Sequence, residues 1–193
     1  VWVHLEEHNG DSYCNTSNKL ISEAIGSLLP PKGIKVSLET DLPIGRGMGS
    51  SASLSIALIR ALAKWEGRES QFDEEFKKGL QLETFFDGNP SGLDHTVSSL
   101  GKTLLYQKGT THPKITELPT SDISLVIVDS GTEGNTAQMV QNVRENYEKN
   151  TVFIKKMGDC TLKIKEELSK SQINLQTLGS LFSENQILLQ KIG

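Results

Sequence analysis

The amino-acid sequence predicts a protein of mixed α and β structure, and three patterns point to it. Polar and apolar residues alternate at 34–39, which predicts a half-buried strand, and the apolar run 123–128 predicts a buried one. Apolar residues recur at helical spacing in 17–29 and again from residue 136 onward. The chain has 193 residues, of which 36% are hydrophobic and 23% charged. This composition favours one large or two small packed domains over disorder.

Charge and cysteine content argue against several classes of function. Lysine and arginine number 20 and aspartate and glutamate 24, so the net charge is −4, which is a poor match for non-specific nucleic-acid binding. No apolar run approaches the roughly 18–20 residues of a membrane span, and no signal peptide is recognisable. Cys14 and Cys160 lack zinc or disulfide spacing, so we expect free thiols in a cytoplasmic protein. His4 and His8 lie four residues apart, but in a segment that alternates like a strand, so we predict no metal there.

The elements of the first half follow from periodicity, caps and breakers. In chain order we expect a strand at 1–8, a turn at Gly10-Asp11, a helix at 17–29 capped by Ser17, a strand at 34–39, a glycine-rich loop at 42–51 and a mostly buried helix that ends at Gly67. The glycine-rich loop therefore lies between a strand and a buried helix.

The second half predicts further helices and strands. We expect a polar helix around 73–78, a turn at 87–92, a short helix at 94–99, a strand at 103–106, a polar connector at 113–122, the buried strand at 123–128, a turn at 130–135, a helix from 136 with a weak point at Gly158, and a last helix at 178–192. The connector is our candidate domain boundary.

The glycine-rich loop carries the clearest chemical signal. Gly45, Gly47 and Gly49 alternate, and Ser50 and Ser51 follow at the start of the predicted helix. Glycines let a backbone approach a phosphate, and a helix N-terminus presents N–H groups to an anion. The segment lacks the Gly-Lys-Ser/Thr of the P-loop and the spacing of dinucleotide-binding loops. We therefore predict nucleotide phosphate binding, with the serine hydroxyls near phosphate oxygens or magnesium; the alternative is a tight turn that only starts a helix.

An acidic pair brackets the turn at 88–92. Glu83 and Asp94 lie eleven positions apart, and Asp94 falls near the start of a short predicted helix, where the helix dipole favours a carboxylate. Such a carboxylate can accept a hydroxyl proton during phosphoryl transfer, and Glu83 could bind a metal together with Ser51. Spacing alone favours the plainer alternative, in which Asp94 caps the helix and Glu83 is a surface residue.

Three segments together resemble a known family. Residues 43–52, Pro-Ile-Gly-Arg-Gly-Met-Gly-Ser-Ser-Ala, resemble the second motif of the GHMP kinases. Residues 87–94, Asp-Gly-Asn-Pro-Ser-Gly-Leu-Asp, are similar to the His-Gly-Asn-Pro-Ser-Gly-x-Asp segment of the mevalonate kinases within that superfamily, with Asp87 in place of histidine. Residues 128–136 are similar to the strand and turn that open the second domain of those enzymes. Met48 stands where leucine is commoner.

The resemblance implies a fold of the α+β class. It implies an N-terminal ATP-binding domain at 1–120, of the ribosomal-protein-S5-domain-2-like type with a left-handed crossover, and a C-terminal ferredoxin-like domain at 121–193, with ATP and substrate between them. The family's first and third motifs would lie before Val1 and after Gly193. We therefore expect both domains to be partial and the chain to be a piece of a longer kinase.

The resemblance also implies a function. It implies transfer of phosphate from ATP, with Mg²⁺, to the C5 hydroxyl of mevalonate, giving 5-phosphomevalonate for isoprenoid biosynthesis. The implied site residues are Gly45, Arg46, Gly47, Met48, Gly49, Ser50 and Ser51 for ATP, Ser51 and Glu83 for the metal, Asp94 for catalysis and Thr136 for the substrate. A homodimer is one assembly that it permits. The alternatives are another GHMP kinase, acting on phosphomevalonate or homoserine, and a catalytically incomplete nucleotide-binding fragment.

Overall fold

The structure, a computed structural model, describes residues 1–87, 90–109, 112–119, 123–129, 131 and 136–192, with only the backbone at 87, 136 and 137. The chain forms two compact units, one of Val1–Gly101 with Asp129–Gly134, the other of Lys102–Val128 with Asn135–Gly193. These units follow internal contacts, and the division into kinase domains at 1–120 and 121–193 stays a prediction. Among the described helices, none is both long and apolar enough to cross a bilayer.

A three-stranded sheet forms one layer of the first unit. Strands β1 (Trp2–Asp11), β2 (Tyr13–Cys14) and β3 (Lys32–Glu39) lie in the order β1-β3-β2. β1 runs antiparallel to β3 and β2 runs parallel to it. The predicted turn at Gly10-Asp11 is wrong, because β1 passes an irregularity after Glu7 and pairs with β3 again at Asp11. A bulge of this kind keeps the strand going through residues that otherwise favour a turn.

The crossover between the parallel strands contains helix α1 (Lys19–Gly26). Its N-cap is Asn18, whose Oδ1 accepts a hydrogen bond of 3.1 Å from the backbone N–H of Ile21, so the predicted cap at Ser17 is wrong by one residue. Both residue types can cap, and the pairing of β2 with β3 sets where the chain turns into the helix. The helix ends three residues before the predicted Leu29, in a turn in which Leu28 donates to the carbonyl of Ile25.

Three helices complete the first unit: α2 (Ser50–Trp65), α3 (Phe72–Asp87) and α4 (Leu93–Leu100). α2 packs against β1, α3 and α4, which explains why its sequence is apolar on several faces. The shared core includes the following buried residues: Cys14, Ala24, Ile25, Ile34, Val36, Ile56, Leu58, Ile59, Leu62 and Leu82. The glycine-rich loop enters α2, so this core fixes the helix on which the loop is built.

A buried carboxylate ties these helices together. Glu75 of α3, 3% exposed, accepts hydrogen bonds of 2.8 and 3.0 Å from the guanidinium of Arg60 on α2. The hydroxyls of Ser70 and Ser99 also donate to it. Burial by itself raises the pKa of Glu75, but the hydrogen bonds from Arg60, Ser70 and Ser99 outweigh it and hold the pKa below the ordinary 4.5. Glu75 is therefore an ionised hub between α2, α3 and α4.

The second unit begins with a hairpin. Strand β4 (Leu104–Gln107) pairs antiparallel with β5 (Lys114–Glu117), and Leu104 lies opposite Glu117. The predicted polar connector at 113–122 therefore contains a strand, β5, that the sequence did not indicate. Its Lys-Ile-Thr-Glu sequence is too short and polar to stand out as a strand, and pairing with β4 makes it one.

Three helices follow: α5 (Thr136–Glu145), α6 (Tyr147–Leu168) and α7 (Leu175–Ile192). The predicted weak point at Gly158 is wrong, because α6 runs through it and the break between helices falls at Asn146. α6 and α7 pack on each other around Cys160, whose thiol donates to the carbonyl of Leu181 at 3.2 Å. Both cysteines are free, as the sequence predicts, and both are buried.

The prediction of a buried strand at 123–128 is also wrong. In this segment Leu125 is 73% exposed, Val126 91%, Ile127 70% and Val128 84%, and no strand of the described residues pairs with it. An apolar run becomes a buried strand only where a neighbouring strand takes up its backbone N–H and C=O groups. Most of the predicted turn at 130–135 lies outside the described residues; at Gly131 the backbone N–H donates to Asp129 Oδ1 at 2.8 Å.

Candidate active site

The glycine-rich loop has the backbone that its sequence predicts. Gly45, Gly47 and Gly49 have φ angles of +72°, +70° and +66°, a region that residues with a Cβ rarely adopt. Gly49 is the N-cap of α2, and no side chain caps the helix. The N–H groups of the first helical turn therefore have no side-chain acceptor, and together with the helix dipole they form a binding surface for an anion.

A cavity of about 220 Å³ opens beside this loop, and we call it the loop cavity. Ser50 and Ser51, in the first turn of α2, contribute to its wall. The apolar part of the wall consists of Val1, Ile21, Leu38, Ile44 and Leu54. The two serines that the sequence assigns to phosphate binding thus lie where a helix N-terminus meets an apolar cavity.

Arg46, between the first two loop glycines, faces an acidic partner that the sequence analysis did not single out. Its Nε lies 3.4 Å from Oδ2 of Asp129. Its Nη1 is buried and has no hydrogen-bond partner among the described residues. A guanidinium with an unused donor next to an anion-binding helix terminus is suited to a phosphate oxygen. Met48, between the second and third loop glycines, is 36% exposed.

Asp94 lies against the loop. Helix α4 begins after Gly92, which is its N-cap, and Asp94 is in the first turn, so the alternative of a capping aspartate is wrong. A Cβ built on Gly49 would stand 3.8 Å from Oδ2 of Asp94. The structure therefore brings a carboxylate to the same helix terminus that can bind an anion. Gly88 and Asn89 of the preceding motif lie outside the described residues.

Glu83 is buried on α3, 5% exposed, so the alternative of a surface glutamate is wrong. Its Oε2 lies 3.0 Å from Nδ1 of His95, the residue after Asp94. The two atoms do not align as a hydrogen bond, and both ring nitrogens of His95 are buried without a hydrogen-bond partner in the described part of the chain. Sequence reasoning missed His95. The available signal was that Gly79 and Glu83, one helical turn apart on α3, leave room beside a carboxylate for a large neighbour.

Ser51 and Glu83 carry oxygen donors of the kind that magnesium prefers. Within the described ranges no three histidine, cysteine or acidic side chains cluster as a metal site. Magnesium in phosphoryl-transfer sites, however, is commonly held by one or two carboxylates, with nucleotide phosphates and water completing the shell. Glu83 offers a buried carboxylate, and Ser51 a hydroxyl at the helix terminus. These residues fit a cation that is held jointly with a nucleotide.

Thr136, the predicted substrate contact, is the first residue of α5 and belongs to the second unit. Its side chain is outside the described part of the structure. Its role stays a prediction.

Comparison with known proteins identifies the part of the chain that holds the loop and the acidic residues. Residues 13–102 match the family model of the GHMP kinases N terminal domain. This stretch of the chain resembles the N-terminal domain of the GHMP kinases. The matched region runs from β2 through α4 and includes Gly45–Ser51, Glu83 and Asp94.

Relatives in sequence extend the likeness into the second unit. The chain is 34% identical over 169 residues to the mevalonate kinase of Thermococcus sibiricus, covering 84% of this chain and 50% of that protein. It is 34% identical over 168 residues to the mevalonate kinase of Pyrococcus furiosus, covering 83% and 49%. The resemblance to the GHMP kinases, and to the mevalonate kinases among them, is confirmed. The chain spans about half the length of these curated relatives.

Solved structures show the same fold. The crystal structure of L. major mevalonate kinase in complex with R-mevalonate matches 98% of this chain and 65% of its own, with a TM-score of 0.75 and 20% identity. The Methanococcus jannaschii mevalonate kinase matches 98% and 68%, with a TM-score of 0.62 and 21% identity. The predicted α+β GHMP kinase fold is confirmed.

Proposed function

We propose that the protein is an ATP-dependent kinase, cytoplasmic in location, that phosphorylates the C5 hydroxyl of mevalonate and yields 5-phosphomevalonate for isoprenoid biosynthesis. The observation that carries the proposal is the position of Asp94 beside Gly49, 3.8 Å from where a Cβ would stand. This contact places a carboxylate at the uncapped terminus of α2, where the γ-phosphate of a nucleotide would lie. The sequence relatives named mevalonate kinase supply the choice of substrate.

The loop would bind the phosphates of ATP. Backbone N–H groups of Gly45–Ser51 and the hydroxyls of Ser50 and Ser51 would donate to phosphate oxygens, and Arg46 Nη1 would add a charged donor. The loop cavity would take up less polar parts of the nucleotide. Because the loop backbone is already folded for an anion, little reorganisation is needed during the reaction.

Asp94 would act on the acceptor. Its carboxylate would orient the C5 hydroxyl and take its proton, while the hydroxyl oxygen bonds to the γ-phosphorus and the bond to the leaving ADP oxygen breaks. The first turn of α4 keeps this carboxylate at the positive end of a helix dipole. Thr136 would contact mevalonate.

Ser51 and Glu83 would hold magnesium. When bound, Mg²⁺ would screen the negative charge of the β- and γ-phosphates. The carboxylate of Glu83 and the hydroxyl of Ser51 are the oxygen ligands that this cation prefers. A homodimer stays a prediction.

The substrate is tested by measuring ADP release with mevalonate, phosphomevalonate and homoserine as separate acceptors. The assay uses the full-length natural protein. We expect turnover with mevalonate and at least about 100-fold lower turnover with the other two, because a site built for one acceptor leaves polar groups unpaired with another. Preference for another acceptor would show that the proposed substrate is wrong, although the protein would still be a small-molecule kinase. ATP binding without turnover on any acceptor would favour a non-catalytic nucleotide-binding protein.

The role of Asp94 is tested by Asp94→Asn. We expect turnover to fall by about 100- to 10,000-fold, the range for loss of a general base, while ATP binding persists. The matched control is Asp73→Asn, which makes the same change in the first turn of α3. Near-normal turnover in Asp94→Asn, or equal losses in both variants, would rule out the proposed role.

A further inference from the structure

His95 is a buried polar residue with no hydrogen bond to account for its burial. It is 1% exposed, and neither Nδ1 nor Nε2 has a hydrogen-bond partner among the described residues. Burying an unpaired polar group costs free energy, so most buried side chains of this kind have a partner. A residue that keeps such a cost at a candidate active site is a candidate for a role in that site.

The imidazole ring of His95 lies against α3, in the space left by a glycine. Gly79 and Glu83 are one helical turn apart and share a face of that helix. A Cβ on Gly79 would stand 2.4 Å from Cδ2 of His95, closer than atoms can approach, so only glycine leaves room for the ring. With the ring over Gly79, its Nδ1 comes to 3.0 Å from Oε2 of Glu83. The glycine at 79 and the side chain of Glu83 thus bring Nδ1 of His95 next to one carboxylate oxygen.

Helix α4 connects this pair to Asp94. Successive residues of a helix point in directions about 100° apart. Asp94 accordingly faces Gly49 of the loop, and His95 faces Gly79 and Glu83 of α3. The first turn of one short helix therefore carries both Asp94 and the histidine that lies beside Glu83.

We propose that His95 is a positioning residue: seated on Gly79, its Nδ1 holds the carboxylate of Glu83 in the orientation that binds the divalent cation. This inference rests on the proposed role of Glu83 as a metal ligand. The terminal torsion of a glutamate is soft, so a small rotation of the carboxylate aligns Oε2 with an Nδ1–H donor and leaves the other oxygen for the cation. Groups that orient a metal ligand in this way typically change metal affinity by about 10- to 100-fold when they are removed.

Two substitutions separate positioning from packing. His95→Asn keeps a side-chain N–H near the place of Nδ1, whereas His95→Leu fills the space without a donor. Both lose the ring that fills the space over Gly79, so we expect similar losses of melting temperature. A third variant, His95→Gln, carries its amide one bond further out and should behave like His95→Leu. It serves as the second test if the leucine variant does not fold.

The experiment measures binding of Mn²⁺, a spectroscopic probe for the magnesium site, by electron paramagnetic resonance. It uses the intact protein with the non-hydrolysable analogue AMP-PNP, and Glu83→Gln marks the loss expected when the ligand itself is altered. We expect Mn²⁺ affinity to fall at least about 10-fold in His95→Leu and His95→Gln, and less than about 3-fold in His95→Asn.

The results distinguish the role of Glu83 as a metal ligand from the role of His95 as a positioning residue. If Glu83→Gln leaves Mn²⁺ affinity unchanged, Glu83 is not a metal ligand, and the proposed metal site fails together with this inference. If Glu83→Gln weakens binding but His95→Leu and His95→Gln do not, only the positioning role is overturned. Equal losses in the asparagine and leucine variants would also overturn it, because packing alone would then explain them.

Discussion

Replacing Glu75 by glutamine should destabilise the first unit by about 3–6 kcal/mol. In the native protein Oε2 of Glu75 accepts from Nη2 of Arg60 and from the hydroxyl of Ser99, and Oε1 accepts from Nε of Arg60 and the hydroxyl of Ser70. An amide in the same place turns its NH₂ group toward one of these donor pairs and loses two hydrogen bonds. Hydrogen bonds to a charged group contribute about 1.5–3 kcal/mol each, so the loss of two is about 3–6 kcal/mol.

The assay is urea unfolding followed by tryptophan fluorescence. Trp2 and Trp65, the two tryptophans of the chain, both lie in the first unit, so the signal reports the part that contains Glu75. The control is Glu23→Gln on α1, since Glu23 lies 3.7 Å from Lys19 in an exposed pair of the same unit. Such exposed pairs contribute about 0–1 kcal/mol. Equal losses in the two variants would refute the reasoning.

The pH dependence gives a second check on Glu75. Its pKa is held below 4.5 in the folded protein, so the unfolded chain binds a proton at a higher pH than the folded one. The stabilisation from its ionised form is therefore complete above about pH 4.5 and is lost as the pH falls through the lowered pKa. The difference in unfolding free energy between the native protein and Glu75→Gln should shrink in that acid range. A constant difference down to about pH 3 would contradict an ionised hub.

Two further predictions concern helices. Asn18→Ala should lower the unfolding free energy by about 1 kcal/mol through loss of the α1 cap, and Ser17→Ala by less than about 0.5 kcal/mol; the reverse order in the same urea assay would restore Ser17 as the cap. Gly158→Ala should stabilise α6 by about 0.5–1 kcal/mol, because a Cβ there meets no atom within 4 Å and alanine favours a helix interior, and a lower melting temperature by circular dichroism would contradict this.

Much of the fold can be predicted from the hydrophobic periodicity of single segments. The helical stripes of α2 and α7 and the alternation of β3 act within one element, so the sequence predicts them well. The errors concern contacts between distant residues. Gly10 and Asp11 lie in a strand because Lys32 pairs with Asp11, and Lys114–Glu117 is a strand because β4 lies beside it. Such pairing depends on the three-dimensional neighbour and leaves little trace in the segment itself.

The candidate site likewise combines local features that the sequence predicts with long-range contacts that it does not. The left-handed glycines and the position of Asp94 near a helix start are local features, and the sequence predicts both. The approach of Asp94 to Gly49, of His95 to Glu83 and of Asp129 to Arg46 joins residues far apart in sequence. The first two of these approaches require the packing of α2, α3 and α4, which periodicity alone does not specify.

The exposed apolar run 123–128 has a consequence for the protein in concentrated solution. It holds no proline and no charge and is rich in β-branched residues, the composition of segments that stack into intermolecular sheets. Charged residues at the flanks normally oppose such aggregation, and here the flanks are Asp122 and Asp129. Because Arg46 lies 3.4 Å from Asp129, it partly neutralises one of these two charges. Protection against self-association therefore rests mainly on Asp122, and the chain is least protected at the end of the run nearest Val128.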